Sequence, residues 1–318
     1  MIHPRTDAVV ERALAHFDAT VAQLTEFLTI PAISCKAAHR PDVVRMAEKV
    51  KATLTDLGFE AAIHELDGAL PLVAAHWLEA GPDKPTVLIY GHFDLQPVDE
   101  PEWIGDPHRA VERNGRLYAR GSADDMGGWV GHIAALRAWF AETGSLPCNV
   151  RLLIEGEEEI GSPNLERYID AFPEAFAADV MVLTDCENPS VQTPGLTVSL
   201  RGLMEVELVV EALGGDVHSG LFGNMLPDVS TALCKIIGRL VDADGRPHAS
   251  LLADVPLEWS AEAGELVDPE LLRTGGALLE GLELLPERGR PAAEWLWRQP
   301  AITVVATTLP RPEDKKNA

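Results

Sequence analysis

Imidazoles and carboxylates gather in five short stretches of this chain. They are Gly91-His92-Phe93-Asp94, the Asp124-Asp125 pair inside Arg120–Gly128, the run Glu155-Gly-Glu157-Glu158-Glu159, the single Asp185, and His218 in Gly214-Gly-Asp-Val-His-Ser-Gly220. Each has an ordinary reading by itself: a turn histidine, a helix N-cap, a solvated acidic loop, an aspartate that opens a loop, a glycine turn. The first four together offer one imidazole and several carboxylates but no cysteine pair, a nitrogen and oxygen donor set that suits zinc, manganese or cobalt. Two such ions sharing one carboxylate, about 3.5–4 Å apart, form a hydrolytic arrangement. Packing this many carboxylates into one corner is costly unless cations neutralise them.

Other catalytic patterns are missing. The chain has no GxSxG elbow, no HExxH, no P-loop and no GxGxxG. Ser219 follows His218 directly, and neighbours on an extended strand point to opposite faces, so they do not make a nucleophile–base pair.

The elements that must position these residues can be read from periodicity. Apolar residues at helical spacing predict a helix over residues 5–30, ended by Pro31, and a second over 41–57, closed by Gly58. Strands are expected at Phe59–Leu66, Leu72–Leu78, Thr86–Phe93, Asn149–Ile154 and Asp179–Thr184, with a helix starting at Asp125 and another near Asn164–Ala171. Alternating strands and helices predict an α/β layer with a mainly parallel sheet flanked by helices. His92, Asp94, the glutamates and Asp185 then stand at strand exits, where open α/β sheets place ligands. The pattern changes at Pro194-Gly195. Beyond it a long strand or bent hairpin is expected at Leu196–Val210, helices at Val229–Val241, Pro269–Leu285 and Ala292–Trp297, a strand at Ile302–Thr307 and a polar tail from Leu309. The expected organisation is an α/β unit over 1–194 and an α+β unit over 195–318.

A formal net charge of −24 over 318 residues argues against nucleic acid or an anionic membrane as partner. The four cysteines (35, 148, 186 and 234) are too scattered for a thiolate site or a disulfide framework. The N-terminus lacks the apolar core of a signal peptide, and runs such as Val87–Tyr90 are too short to span a bilayer. A reduced, cytoplasmic protein is expected.

The ordered set of motifs resembles the co-catalytic dinuclear zinc peptidases, the family of glutamate carboxypeptidase, aminoacylase, succinyl-diaminopimelate desuccinylase and carnosinase-type dipeptidases. The resemblance rests on Tyr90–Val98, Gly115–Asp125, Ile154–Ser162 and His218–Gly223, and Gly-His-Phe-Asp-Leu-Gln-Pro is most similar to the dipeptidase branch. It implies two divalent ions, zinc first with manganese or cobalt as alternatives. His92 and Asp185 would hold one ion, Glu159 the other, and Asp124 would bridge them. Asp94 would orient His92, and Glu158 would be the general base toward a metal-bridging water. His218, in a lid and dimerisation domain inserted in the catalytic one, would reach a neighbouring subunit's site and stabilise the oxyanion. The Asp124–Asp125 bond would be cis.

This chain departs from the family pattern at Met126, where lysine is usual, at Ile160, where a small polar residue is common, and at Asn224, where glycine is common. Family members of this branch also continue past residue 318, where a return segment completes the catalytic domain and supplies a second metal-binding histidine. Both domains are thus expected to be incomplete at the C-terminus. Three activities stay open: hydrolysis of a dipeptide, removal of an acyl group from an N-acyl amino acid, and metal binding with homodimerisation but no catalysis.

Overall fold

The computed structural model describes residues 3–99, 103–186, 188, 194–197, 199–256, 258–259 and 266–309. The chain divides into two compact units between Cys186 and Glu187, so residue 194, the expected boundary, falls just inside the second.

The first unit opens with helices α1 (Thr6–Ala15), α2 (Phe17–Leu28) and α3 (Arg40–Asp56). The single helix expected over 5–30 is thus two. They part at His16, whose ring Nδ1 lies 2.9 Å from the Arg12 carbonyl and competes for a helix acceptor. Strands β1 (Glu60–His64), β2 (Leu72–Trp77) and β3 (Thr86–His92) follow, then a small hairpin, β4 (Val111–Arg113) and β5 (Arg116–Tyr118), that the periodicity did not announce. Helix α4 (Met126–Thr143), β6 (Asn149–Glu155), the short helices α5 (Leu165–Ala171) and α6 (Pro173–Phe176), and β7 (Val180–Leu183) complete the unit.

The five-stranded sheet has the order β1-β2-β6-β3-β7. β3 pairs in parallel with β6 and with β7, while β2 is antiparallel to both β6 and β1. Only β2 therefore runs against the common direction, and the expected mainly parallel α/β sheet is present. One face carries the larger core, in which Phe27, Leu28, Met46, Val50, Leu54, Trp129 and Ile133 from the helices meet Val73, Ala75, Ile89, Leu152 and Ile154 from the strands. Alternate strand residues, Leu72, Ala74, Leu88 and Leu153, face the other way and pack with Tyr168, Phe172 and Phe176. At about 25 cal/mol per Å² of apolar surface, a fully buried Phe or Leu contributes roughly 1.5–3 kcal/mol. The first core therefore anchors the strand ends at which the polar residues stand.

The second unit contains α7 (Ser219–Phe222), α8 (Val229–Ile237), α9 (Pro269–Gly275) and α10 (Ala292–Trp297). α8 stops at Gly238, short of the expected Val241. α9 stops at the Gly275-Gly276 pair, with Ala277 at φ 50°, well before Leu285. The strands expected at Leu196–Val210 and Ile302–Thr307 are not found among the described residues; the isolated Val241–Pro247 bridge is the unit's one described strand-like pairing. Alternation alone cannot make a strand. Its N–H and C=O groups need a neighbouring ladder, and here Leu200 and Leu203 stand 88% and 98% exposed. Val198 and residues 310–318 lie outside the described residues.

Candidate metal centre

Parallel pairing brings the C-terminal ends of β3, β6 and β7 to one end of the sheet, with His92 opposite Glu155 and Leu183 opposite Tyr90. Beyond β3 the chain stays extended. Phe93 and Leu95 are wholly buried on one side, and His92, Asp94 and Gln96 alternate onto the other. Beyond β6 a single 3₁₀ turn, Glu158–Ile160, presents the glutamates. Asp185 follows β7 by two residues.

The Asp124-Asp125 pair arrives at this edge from the start of α4. Its peptide bond is cis. The ordinary N-cap reading of this pair does not hold, because Asp125 precedes the helix without making a side-chain cap bond. Its carboxylate is buried instead. Oδ2 accepts from the His92 main-chain N–H at 3.2 Å, and Oδ1 has no hydrogen-bond partner. Trp129 Nε1 donates to the His92 carbonyl at 2.9 Å, which ties helix and strand together at this point. The glycines are steric requirements. A Cβ on Gly127 would sit 2.3 Å from the Ser122 carbonyl oxygen, and one on Gly91 would sit 2.7 Å from Asp125 Oδ2.

His92 is the buried centre of the group. Its Nε2 lies 3.0 Å from Asp124 Oδ1, 3.6 Å from Asp185 Oδ2 and 3.9 Å from Glu158 Oε2. Donor atoms of His92, Asp124 and Asp185 all fall within 4.8 Å of one another, the spacing of a metal-ligating trio. On the other side of the ring, Nδ1 is 3.1 Å from the Asp94 carbonyl and 3.4 Å from its carboxylate. That carboxylate, wholly buried, also accepts the main-chain N–H groups of Glu158 and Glu159, each at 3.1 Å. Asp94 is thus more than a partner for His92; it fixes the turn that carries both glutamates.

The acidic run splits into two kinds of residue. Glu155 is buried and accepts hydroxyls from Tyr90 and Ser162. Glu157 is buried and accepts from the Leu70 main chain and the Asn164 amide. Glu158 and Glu159 are half-buried and face the group. Glu159 lies outside the trio. Gln96 Nε2 donates to its Oε2 at 2.7 Å and to its carbonyl at 3.2 Å, while its Oε1 is buried without a partner. Sequence reasoning missed Gln96, although the alternation of 92, 94 and 96 along an extended exit strand was a signal that could have found it.

The electrostatics show a site short of positive charge. Burial pushes Asp125 up to about 7 despite the nearby His92, and it pushes Glu158 and Glu159 upward as well. Burial opposes the charged form of His92, but hydrogen bonding and charge from Asp94, with Asp125 and Glu158, outweigh it and carry the ring to about 10. The donor set is oxygen and imidazole nitrogen, and two carboxylate oxygens are buried without partners. These residues fit divalent cations. Met126, where the family resemblance implied lysine, is wholly buried in the first core and packs as an apolar residue.

His218 belongs to the second unit. It is exposed at the head of α7, and its Nδ1 accepts from the Gly220 N–H at 3.0 Å. Neutral, the ring then carries its proton on Nε2, a donor. Asn224, where glycine is common, takes φ 66°.

The model of peptidase family M20/M25/M40 matches residues 88–305. A cysteinylglycine-S-conjugate dipeptidase of Corynebacterium striatum is 35% identical over 93% of this chain, and a beta-Ala-His dipeptidase of Homo sapiens is 34% identical over 72% of it. The chain spans 64% and 48% of those two relatives' lengths. Among solved structures, an M20 family metallo-carboxypeptidase from Sulfolobus solfataricus superposes with a TM-score of 0.69 at 31% identity, covering 87% of this chain and 62% of its own. Human carnosine dipeptidase 1 superposes with a TM-score of 0.66 at 26% identity, covering 89% and 63%.

Proposed function

Because the chain belongs to peptidase family M20/M25/M40, we propose that it carries the metal centre of a hydrolase that cleaves the amide bond of a dipeptide. The observation that carries the reading is the convergence of Asp124 and Asp185 on the buried Nε2 of His92, with Glu158 alongside. His92 and Asp185 would hold one divalent ion and Glu159 the other, with Asp124 a ligand available to both. Zinc is the first choice, with manganese or cobalt as alternatives. Bound there, such ions polarise a carbonyl and lower the pKa of a water.

The chain's own residues do the rest. Glu158 takes the proton from the attacking water and later returns it to the leaving amine; burial and neighbouring carboxylates raise its affinity for that proton. Asp94 holds His92 and the Glu158–Glu159 turn in mutual register. His218, with its Nε2 donor, stabilises the oxyanion in the site of a partner copy. The substrates in the relatives' names, Cys-Gly and beta-Ala-His, set the class to try first. The reading includes a homodimer formed through the 195–318 unit, supported by the exposed Leu196, Leu200, Leu203 and Met204 there. It also includes a cytoplasmic location. Among the described residues no helix is long and apolar enough to cross a membrane.

The test pairs a substrate panel with a metal count. Turnover of dipeptides with two ions per chain supports the reading. Turnover of N-acyl amino acids alone replaces it with the deacylase reading, and bound metal with no turnover of either replaces it with a metal-binding, dimerising role. Glu158→Ala should abolish hydrolysis and keep both ions. Loss of an ion with activity retained would mean that Glu158 and Glu159 have exchanged roles.

A further inference from the structure

The ion assigned to Glu159 has the least prepared ligand. His92, Asp124 and Asp185 already converge, whereas Glu159 is a half-buried side chain on a single 3₁₀ turn. A glutamate in that setting has several rotamers to lose on binding an ion. Something must hold it for the affinity of the second position to match the first.

Resting on the dinuclear reading above, we propose that Gln96 is the positioning residue of the second metal position. It binds one oxygen of Glu159 and so fixes the other, Oε1, as the atom open to a cation. The alternation that brings His92 and Asp94 to the site side of the exit strand brings Gln96 there as its third member, while Phe93 and Leu95 lock the strand into the core. One amide nitrogen then reaches Glu159 twice, at Oε2 and at the main-chain carbonyl. Gripping both ends of one residue defines its side-chain torsions in a way that a bond to the carboxylate alone would not. The bond to Oε2 is charge-assisted, and a ligand carboxylate held by an outer hydrogen bond is the kind of partner whose loss weakens metal affinity. With Oε2 occupied, the buried and unpartnered Oε1 remains. The row then has a division of labour: His92 is the ligand, Asp94 fixes the turn's backbone, and Gln96 fixes the turn's side chain.

The test is a calorimetric titration of chelator-stripped protein with zinc, in the wild type, in Gln96→Ala and in Gln96→Met, which keeps the length and removes the donor. Gln96 is exposed, so both variants are expected to fold, and hydrogen exchange of the sheet amides checks this. The expected result is a second binding step weakened about 10- to 100-fold in both variants, with the first step unchanged. An unchanged second step overturns the inference, and so does a parallel weakening of both steps, which would indicate a structural role. These outcomes leave the dinuclear reading standing. A wild-type chain that takes up only one ion overturns that reading and this inference together.

Discussion

Glu157 provides the sharpest test of how the acidic run divides. It is 4% exposed, and its carboxylate accepts the Leu70 N–H at 2.7 Å and the Asn164 amide at 3.0 Å. Glu157→Ala removes both acceptors and leaves two donors short of partners in a site too enclosed for free hydration. Hydrogen bonds to a charged group contribute about 1.5–3 kcal/mol each, so the two would suggest about 3–6 kcal/mol. Deleting the carboxylate also removes its own desolvation cost, which lowers the net loss to about 2–4 kcal/mol. Glu157→Gln should lose roughly half as much. Its oxygen can still accept from Leu70, but its NH₂ then faces the NH₂ of Asn164. Asn164 cannot simply flip, because its Oδ1 accepts from Arg167. Against a total stability of about 5–15 kcal/mol, both variants stay largely folded. Hydrogen exchange of the β2, β3 and β6 amides in metal-free protein reads the loss within the first unit. The control is Glu158→Gln, which removes a half-exposed carboxylate already disfavoured by burial and by Asp185, and should leave stability unchanged or raised. A Glu157→Ala variant within about 1 kcal/mol of wild type would refute the division, as would an equal loss at Glu158.

Two glycines of α4 should respond in opposite directions. Gly127→Ala must displace the Ser122 carbonyl ahead of Asp124 and should cost about 1–3 kcal/mol, with weakened zinc uptake. Gly131→Ala meets nothing within 4 Å and should gain about 0.5–1 kcal/mol from helix propensity. Thermal or urea melts read both, and a loss at Gly131 or none at Gly127 would contradict the packing described. Burial lowers the pKa of His132, whose Nε2 lies 3.2 Å from Thr184 Oγ1, below its ordinary 6.5. As pH falls through 6.5 the unfolded chain takes up this proton before the folded one does, so the contribution of His132 to stability is full above 6.5 and shrinks toward its lowered folded value. The stability difference between wild type and His132→Gln should therefore narrow between pH 7.5 and 5; a constant difference would show that His132 titrates alike in both states.

Much of the first unit was legible because its signals are local. Strand runs such as Thr86–His92 and Asn149–Glu155 declare themselves by apolar content, and Gly-His-Phe-Asp at a strand exit marks a candidate ligand position. The break at His16 and the β4–β5 hairpin were not legible, since each depends on a few local bonds with no periodic signature. The second unit misled for the opposite reason. Leu196–Val210 has the alternation of a strand, yet pairing is a property of two segments, and no described segment supplies the second.

The order of residue types along the chain was sufficient to establish an acidic α/β protein with imidazole and carboxylate side chains at strand exits, because alternation, punctuation and donor chemistry are written residue by residue. The roles inside the acidic run were decided only by the tertiary structure. Glu155, Glu157, Glu158 and Glu159 are alike as letters. What separates them is which neighbours the pairing of β6 with β3 and β2, and the loop after β6, bring to each: the hydroxyls of Tyr90 and Ser162, the main chain of Leu70, the ring of His92, the amide of Gln96. A carboxylate satisfied by buried donors is structure, whereas one left facing other carboxylates is a place for a cation, and that distinction exists only after distant segments have met.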